Sequence, residues 1–174
     1  MNRRSIAAIA LAALGLAEAS PLWATDRLEL TTRVSGVVEA VLVKSGQRVK
    51  KGSVLLRLDR TVLQARLEEA LADEARALAD EVDAGREQGR AQELYDRTVS
   101  STSELEAAQL RDARAKAALS GARARRVIAQ KNLADAELRA PFDGVVNAIP
   151  GGPGTVVAAD CQPKPLIILS PDPR

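Results

Sequence analysis

The fold follows from a stretch near the start of the chain, VSGVVEAVLVKSGQRVKKGSVLLRLD at residues 34–59. Its apolar and β-branched residues form runs of strand length, and Gly46 and Gly52 place turns between those runs. A second stretch, LRAPFDGVV at residues 138–146, opens another set of short strands that continues to residue 169. Because each set alone is too short to enclose a core, we expect the two sets to pair with each other.

A long alanine-rich segment, residues 61–138, lies between the two sets. It predicts two helices of about 36 residues each, which is about 55 Å at 1.5 Å per residue. A bend is predicted at residues 98–103, where Ser101 and Glu104 form a capping box that starts the second helix. The sequence therefore predicts an α+β protein, a small β-sandwich split by a long antiparallel helical hairpin.

Heptad patterns predict how the two helices pair. The first helix is rich in acidic residues and the second in basic residues, so opposite charges would flank the seam. Exposed ion pairs contribute only about 0–1 kcal/mol each, so the asymmetry indicates pairing without adding much stability. The predicted stripes are Leu71, Ala75, Leu78, Val82, Gly85 and Gly89 on the first helix, and Ala108, Ala115, Leu119, Ala122, Ala129, Leu133 and Ala136 on the second.

Composition excludes several classes of function. The chain of 174 residues has 2% aromatic residues, which does not favour a large globular core. It contains no histidine, which removes imidazole bases, Ser-His and Cys-His nucleophiles and most zinc sites. The net charge is +2 with both signs interspersed, so nothing indicates nucleic acid binding. A single cysteine, Cys161, cannot form an internal disulfide. We therefore expect no enzyme activity, no catalytic or metal-binding residues and no cofactor.

Residues 1–24 have the pattern of an export signal peptide. Two arginines precede an apolar run at residues 6–16, which has the length expected of a secretory signal. Cleavage is expected after Ala24 or, as the alternative, after Ala19. An uncleaved membrane anchor is less favoured, because a span needs about 20 apolar residues and Glu18 interrupts this run. We expect a periplasmic protein associated with the cell envelope.

The two β-stretches resemble the half-motifs of the lipoyl-like domain in periplasmic adaptor subunits, the membrane fusion proteins of bacterial tripartite efflux systems. In that family an α-helical hairpin splits the lipoyl-like domain. The resemblance implies a first lipoyl-like half at residues 28–59, a hairpin at residues 60–139 and a second half at residues 140–170. It is carried by Gly36-Val-Val, GQRVKKG at residues 46–52, Leu58-Asp59 and RAPFDGVV at residues 139–146.

The same resemblance points to the hairpin tip, which in that family engages a TolC-type outer-membrane channel. The family's tip carries an Arg, a Leu four residues later and a Ser seven residues further on. Arg90, Leu94 and Ser101 have this spacing. The resemblance implies an apolar contact from Leu94 and hydrogen bonds from Arg90 and Ser101. Their alternative roles are a solvated Arg, a seam Leu and a helix cap.

The function implied is that of an adaptor that self-associates into a ring and links an inner-membrane transporter, of the RND or ABC type, to a TolC-type channel. Such adaptors usually continue into a β-barrel and a membrane-proximal domain, and we expect both to be absent here. Three interpretations of such a short chain stay open: a minimal adaptor, one partner of a mixed assembly, or a truncated remnant. A type I protein-secretion adaptor is also an alternative function. A lipoyl or biotinyl carrier is the alternative from a different class. It is disfavoured because the junction at residues 58–60 holds no lysine.

Overall fold

The computed structural model describes residues 27–159 and 164–172. The predicted signal peptide and Cys161 lie outside the described residues. Within those ranges the chain forms eight strands and two long helices. Their bounds are β1 Leu28–Leu30, β2 Gly36–Val41, β3 Arg48–Val49, β4 Val54–Leu58, α1 Thr61–Asp96, α2 Thr102–Ala134, β5 Glu137–Arg139, β6 Gly144–Ala148, β7 Val156–Val157 and β8 Ile167–Pro171.

The strands form two four-stranded antiparallel sheets. One sheet has the order β1-β8-β6-β3 and the other has the order β5-β4-β2-β7. Each sheet takes two strands from before the helices and two from after them, and in each sheet strands from the two sets lie side by side. The predicted pairing of the two sets is confirmed, and with it the α+β sandwich split by a helical hairpin.

One contiguous apolar core joins the two sheets, and both sets of strands supply it equally. Burying one Val, Leu or Ile side chain contributes about 1.5–3 kcal/mol, so each set depends on the other to cover its apolar face. The largest fully buried side chains are Val38, Leu55, Leu56 and Leu58 from the first set, and Val146, Leu166, Ile167 and Leu169 from the second.

The end of the second helix differs from the prediction. The sequence predicts helix as far as Leu138, but α2 ends at Ala134 and β5 begins at Glu137. In the register of β5 with β4, Leu138 lies opposite Leu56 and Glu137 lies opposite Arg57. Pairing with an existing strand outweighs the weak intrinsic preference of these residues for helix.

Strand β1 is a second element that the sequence pattern does not predict. It has only three residues, which is too few for an alternating pattern to show. Leu28 lies opposite Leu169, and Leu30 lies opposite Ile167. The Leu166 N–H donates to the Leu30 carbonyl at 2.8 Å. The strand therefore covers one side of β8, which carries buried core residues.

An ion-pair cluster joins the base of the hairpin to the sandwich. The carboxylate of Glu137, whose side chain is 16% exposed, lies 3.5 Å from Arg57 Nε and 3.6 Å from Arg60 Nη1. It also lies 2.5 Å from Arg139 Nη2. Arg57 belongs to β4 and Arg60 immediately precedes α1. The cluster therefore ties the start of α1 to both strands from which the hairpin projects.

The seam between the helices confirms the predicted stripe on α2 as far as Leu133 and corrects the one on α1. Ala136, the last residue of the predicted α2 stripe, lies beyond the helix in the sandwich core. On α1 the inward-facing residues lie one position before the predicted stripe, because small alanines and the ion-paired Glu74 pack against α2 there. Gly85 is the exception, since it lies beside Asp112 as part of the predicted stripe. Leu71, Leu78 and Val82 are 41–47% exposed, and Ala75 and Gly89 are also exposed. The inward residues of α1 are Leu63, Leu67, Ala70, Glu74, Ala77, Glu81, Ala84, Gln88 and Ala91, and those of α2 add Leu105, Asp112 and Arg126 to the predicted set.

Candidate docking site at the hairpin tip

The hairpin tip is the turn at residues 97–101, which overlaps the predicted bend at residues 98–103. Helix α1 ends in a Schellman motif, in which the Thr98 N–H donates to the Tyr95 carbonyl at 2.9 Å. The Val99 N–H donates to the Leu94 carbonyl at 3.0 Å. These two bonds satisfy the last carbonyls of α1 and reverse the chain within a few residues.

Thr98 adopts a conformation that usually belongs to glycine. Its φ angle is +61°, and it is the one non-glycine residue with positive φ in the described part of the chain. The left-handed region costs an L-residue about 1–2 kcal/mol, and a β-branched side chain is unusual there. The Schellman hydrogen bonds hold this strained residue at the apex of the hairpin.

Ser101 is the N-cap of α2, and the predicted capping box is confirmed. The Ser101 Oγ accepts a hydrogen bond from the Glu104 N–H at 3.4 Å. In return, Glu104 Oε2 accepts one from the Ser101 N–H at 3.0 Å. Two backbone donors at the start of α2 are satisfied in this way. The second helix therefore begins at a fixed point, immediately after the turn.

The structure places the three predicted site residues close to the turn, with two of them in one groove. A groove of about 590 Å³ lies between α1 and α2 below the tip, and Arg90 and Leu94 line it from α1. Leu94 is 45% exposed. Arg90 is exposed, and its Nε donates only to the Arg86 carbonyl of its own helix, at 3.4 Å. Ser101 is also exposed but does not line the groove, which Ser100 and Ser103 line instead.

Two further apolar side chains at the tip were not predicted. Val99, within the turn, is 71% exposed, and Tyr95, on the last turn of α1, is 39% exposed. Together with Leu94 they form an apolar tip patch, defined here as Leu94, Tyr95 and Val99. The sequence signal was present, because Val99 is an apolar residue in a turn otherwise made of Arg, Thr and Ser.

An ion pair crosses the groove just below this patch. The Glu87 carboxylate on α1 accepts a hydrogen bond from the Arg111 guanidinium on α2. This hydrogen bond and the charge of Arg111 hold the pKa of Glu87 below its ordinary value, and the same contact raises the pKa of Arg111. An acidic residue of the first helix therefore contacts a basic residue of the second helix near the tip, as the charge pattern of the sequence predicts.

The described residues hold no group of three or more His, Cys, Asp and Glu side chains arranged to bind a metal ion. No helix within them is both long and apolar enough to cross a membrane. The tip combines exposed apolar carbon with a guanidinium and hydroxyls. Such a surface is suited to contacting another protein.

Comparison with known proteins identifies the base that carries this tip. Residues 27–162 match the CzcB-like, barrel-sandwich hybrid domain family. The chain belongs to this family. The efflux pump periplasmic linker BepF of Brucella suis biovar 1 (strain 1330) is 33% identical over 150 residues, which is 86% of this chain and 36% of that protein. The chain spans about two fifths of the length of the curated relatives it matches.

Solved structures of other proteins share the architecture of this chain. A MacA–MexA chimera that contains the Pseudomonas aeruginosa MexA α-hairpin domain matches with a TM-score of 0.52 and 25% identity. The match covers 84% of this chain and 46% of the chimera. The membrane fusion protein Spr0693 of Streptococcus pneumoniae R6 shares the fold, with a TM-score of 0.64 and 16% identity over 84% of this chain and 59% of that one.

The ion pair between Glu87 and Arg111 is expected to weaken at acidic pH. Because the folded-state pKa of Glu87 lies below its unfolded value, its contribution to stability is present above the unfolded pKa. That contribution is lost as the pH falls through the folded pKa. We expect the NMR titration midpoint of the Glu87 carboxyl carbon to rise in Arg111→Ala. An unchanged midpoint in that variant would show that the ion pair does not form in solution.

Proposed function

We propose that this protein is a non-enzymatic periplasmic adaptor of a tripartite efflux system. In this proposal it links an inner-membrane transporter, of the RND or ABC type, to a TolC-type outer-membrane channel through the hairpin tip. The observation that carries the proposal is the exposed tip patch beside Arg90 and Ser101, at the end of a hairpin that projects from the family's sandwich domain.

The dimensions of the hairpin support a role in reaching a distant partner. Helix α1 has 36 residues and α2 has 33. At 1.5 Å per residue, the tip lies about 50 Å from the sandwich. Both ends of the insertion are fixed by the paired strands β4 and β5. A rod of this kind presents its tip to a second protein while its base contacts a first.

The chemistry of the tip supports docking onto helical ends of a channel. Leu94 is 45% exposed and Val99 is 71% exposed, so the tip offers apolar area that a partner can bury. Arg90 donates only to its own helix backbone, which leaves its terminal nitrogens for a partner. Interfaces of this kind place a small apolar centre within a rim of hydrogen-bonding groups.

The relatives support the same assignment. BepF is named an efflux pump periplasmic linker, and the Cronobacter turicensis relative, 29% identical over 161 residues, is named a multidrug resistance protein. We propose the corresponding location for this chain, with export directed by the signal peptide at residues 1–24. We also propose self-association into a ring. The exposed stripe of Leu71, Leu78 and Val82 supports side-by-side packing of copies, because it offers an unpaired heptad face.

The two alternative functions, a carrier domain and a type I protein-secretion adaptor, require different features of the molecule. A lipoyl or biotinyl carrier would display its lysine on a tight turn between the two halves. Here the helical hairpin joins β4 to β5 at that place, with Asp59 and Arg60 at the junction. A type I protein-secretion adaptor would also use an outer-membrane channel, so the identity of the co-purified inner-membrane component separates it from an efflux adaptor.

The decisive prediction concerns Leu94. In a pull-down from cell envelopes, the wild-type protein is expected to capture a TolC-type channel, and Leu94→Asp is expected to capture at least about tenfold less. Loss of one buried leucine contact is worth about 1.5–3 kcal/mol, and about 1.4 kcal/mol corresponds to a factor of ten. The amount of channel is measured by quantitative mass spectrometry.

Leu110→Asp is the matched control for this experiment. Leu110 is 51% exposed and lies on α2, about 14 Å along the helix from Ser101. The same substitution there is expected to leave channel capture unchanged. Equal capture by wild type and Leu94→Asp would show that the tip patch is not the contact. If none of the folded proteins, wild type included, captures a channel, then this chain does not act as an adaptor by itself.

Ser101 allows its structural and docking roles to be separated. Ser101→Ala is expected to lower the free energy of unfolding by about 1 kcal/mol, because it removes the cap, whereas Ser101→Gly costs only a few tenths. If the hydroxyl also bonds to the channel, Ser101→Gly reduces capture by about three- to tenfold while thermal unfolding stays near that of wild type. Wild-type capture by Ser101→Gly would restrict Ser101 to helix capping.

A further inference from the structure

The small residues of the seam do not define how the two helices are aligned. On α1, Ala70, Ala77, Ala84 and Ala91 recur at intervals of seven residues and face α2. On α2, alanines recur at the same interval from Ala108 to Ala129. If one helix slipped by one heptad, alanine would again meet alanine. The alanine contacts are therefore the same in the observed register and in a slipped one, and another feature must distinguish them.

A charged layer lies in the seam about a third of the way from the sandwich to the tip. Glu74 and Arg126 occupy seam positions, and their side chains are only 21% and 32% exposed. Glu74 Oε2 lies 2.5 Å from Arg126 Nε, and Glu74 Oε1 lies 3.5 Å from Arg123 Nε. A slip of one heptad in either direction would set Glu74 against Leu119 or Leu133. Either slipped register would separate Glu74 from Arg126 and leave its carboxylate facing an apolar side chain. Arg126 would face Leu67 in one of these registers and Glu81 in the other.

A second polar layer lies nearer to the tip. Asp112 is 9% exposed, and its Oδ2 accepts a hydrogen bond from Lys116 Nζ at 2.8 Å. Its Oδ1 is buried and has no hydrogen-bond partner among the described residues. A Cβ at Gly85 would lie 3.7 Å from this oxygen, so Gly85 and the Asp112 carboxylate are neighbours across the seam. In one slipped register Asp112 would lie opposite Glu81, a second carboxylate.

We propose that Glu74, Asp112 and Arg126 are positioning residues that set the register of the hairpin. In coiled coils a buried polar residue specifies register at a cost in stability, because mispaired registers leave it without a partner. Only residues 97–101 join the helices, so a slipped register would have to unwind helix at the tip. The consequence for docking rests on the proposed function, whereas the register itself does not.

Pairs of introduced cysteines report the register directly. Ala91→Cys with Ala108→Cys reports the observed register, because this pair lies two heptads tipward of Ala77 and Ala122, which pack together. Ala84→Cys with Ala108→Cys reports a slip of one heptad. Both pairs are made in a Cys161→Ser background, so that no other thiol is present. The yield of intramolecular disulfide is measured under mild oxidation.

The test variant is Glu74→Leu/Asp112→Leu/Arg126→Leu, which makes the seam apolar. Replacing buried ion pairs by apolar residues is commonly neutral or stabilising, so helicity by circular dichroism is expected to persist. The slipped pair is expected to cross-link at least tenfold more than in the unsubstituted seam. The charge-reversed control, Glu74→Arg/Arg126→Glu, keeps an ion pair in the same layer and is expected to cross-link only in the observed register.

Two results would overturn the proposal. One is a helical triple variant that cross-links only through the pair of the observed register, because the turn and the sandwich would then set the register alone. The other is slippage in the charge-reversed control. If the triple variant does not fold, Glu74→Met/Asp112→Leu/Arg126→Met removes the same polar groups with more flexible side chains, and the absence of slipped cross-links there would equally contradict the proposal.

The link to docking is tested by rescue. In the triple variant, oxidising the Ala91→Cys/Ala108→Cys pair locks the observed register and is expected to restore channel capture to at least half of the wild-type level. Failure of the locked protein to capture, when wild type does capture, would show that register is not what these residues contribute to docking. If wild type captures no channel, the proposed function fails while the cross-linking result still stands.

Discussion

Strands β4 and β5 pair across an inserted pair of helices, and this pairing fixes both ends of the hairpin. Leu56 lies opposite Leu138 and Arg57 opposite Glu137, while the Leu58 N–H donates to the Ala136 carbonyl at 2.8 Å. Bringing together chain ends separated by a long insertion costs conformational entropy, although that cost grows only slowly with length. The apolar core shared by the two sets of strands offsets it.

The paired strands at the base set the direction in which the hairpin projects. They do not set how the two helices are aligned near the tip. On α1 the fully buried seam residues end at Ala77, so its distal half is held by fewer apolar contacts than its base. From α2, Leu105 and Ala108 contribute buried apolar surface near the tip. Ion pairs between the helices lie in both halves of the hairpin, at Glu74 nearer the sandwich and at Glu87 nearer the tip. The tip itself is fixed locally, by the Schellman motif and the capping box.

Most of the architecture follows from sequence pattern, because strand-length apolar runs, glycine turns and the alanine-rich segment are each local signals. The stripe on α2 is also predictable, since its leucines and alanines follow the three-four spacing. The stripe on α1 is misplaced by one residue because Leu71 and Leu78 are more apolar than Ala70 and Glu74. A prediction based on apolar side chains alone misses two effects. Alanines allow the helices to approach closely, and a glutamate pairs with arginines across the seam.

The tip shows a similar division between local and tertiary information. The capping box is a local pattern, and the Arg90, Leu94 and Ser101 spacing is visible in the sequence. The groove is not, because it depends on how far α1 and α2 separate below the turn. The end of α2 is misassigned for the same reason, since β5 exists only through its partner β4.

Site-specific photocross-linking in intact cell envelopes shows most directly whether the hairpin tip contacts an outer-membrane channel. A photoreactive benzophenone amino acid at position 94 reports what the tip touches, and the same group at position 110 reports the exposed face of α2. If the tip patch is the contact, an adduct with an outer-membrane channel forms from position 94 and none forms from position 110. An envelope protein cross-linked equally from both positions, or no channel adduct from position 94, would contradict it.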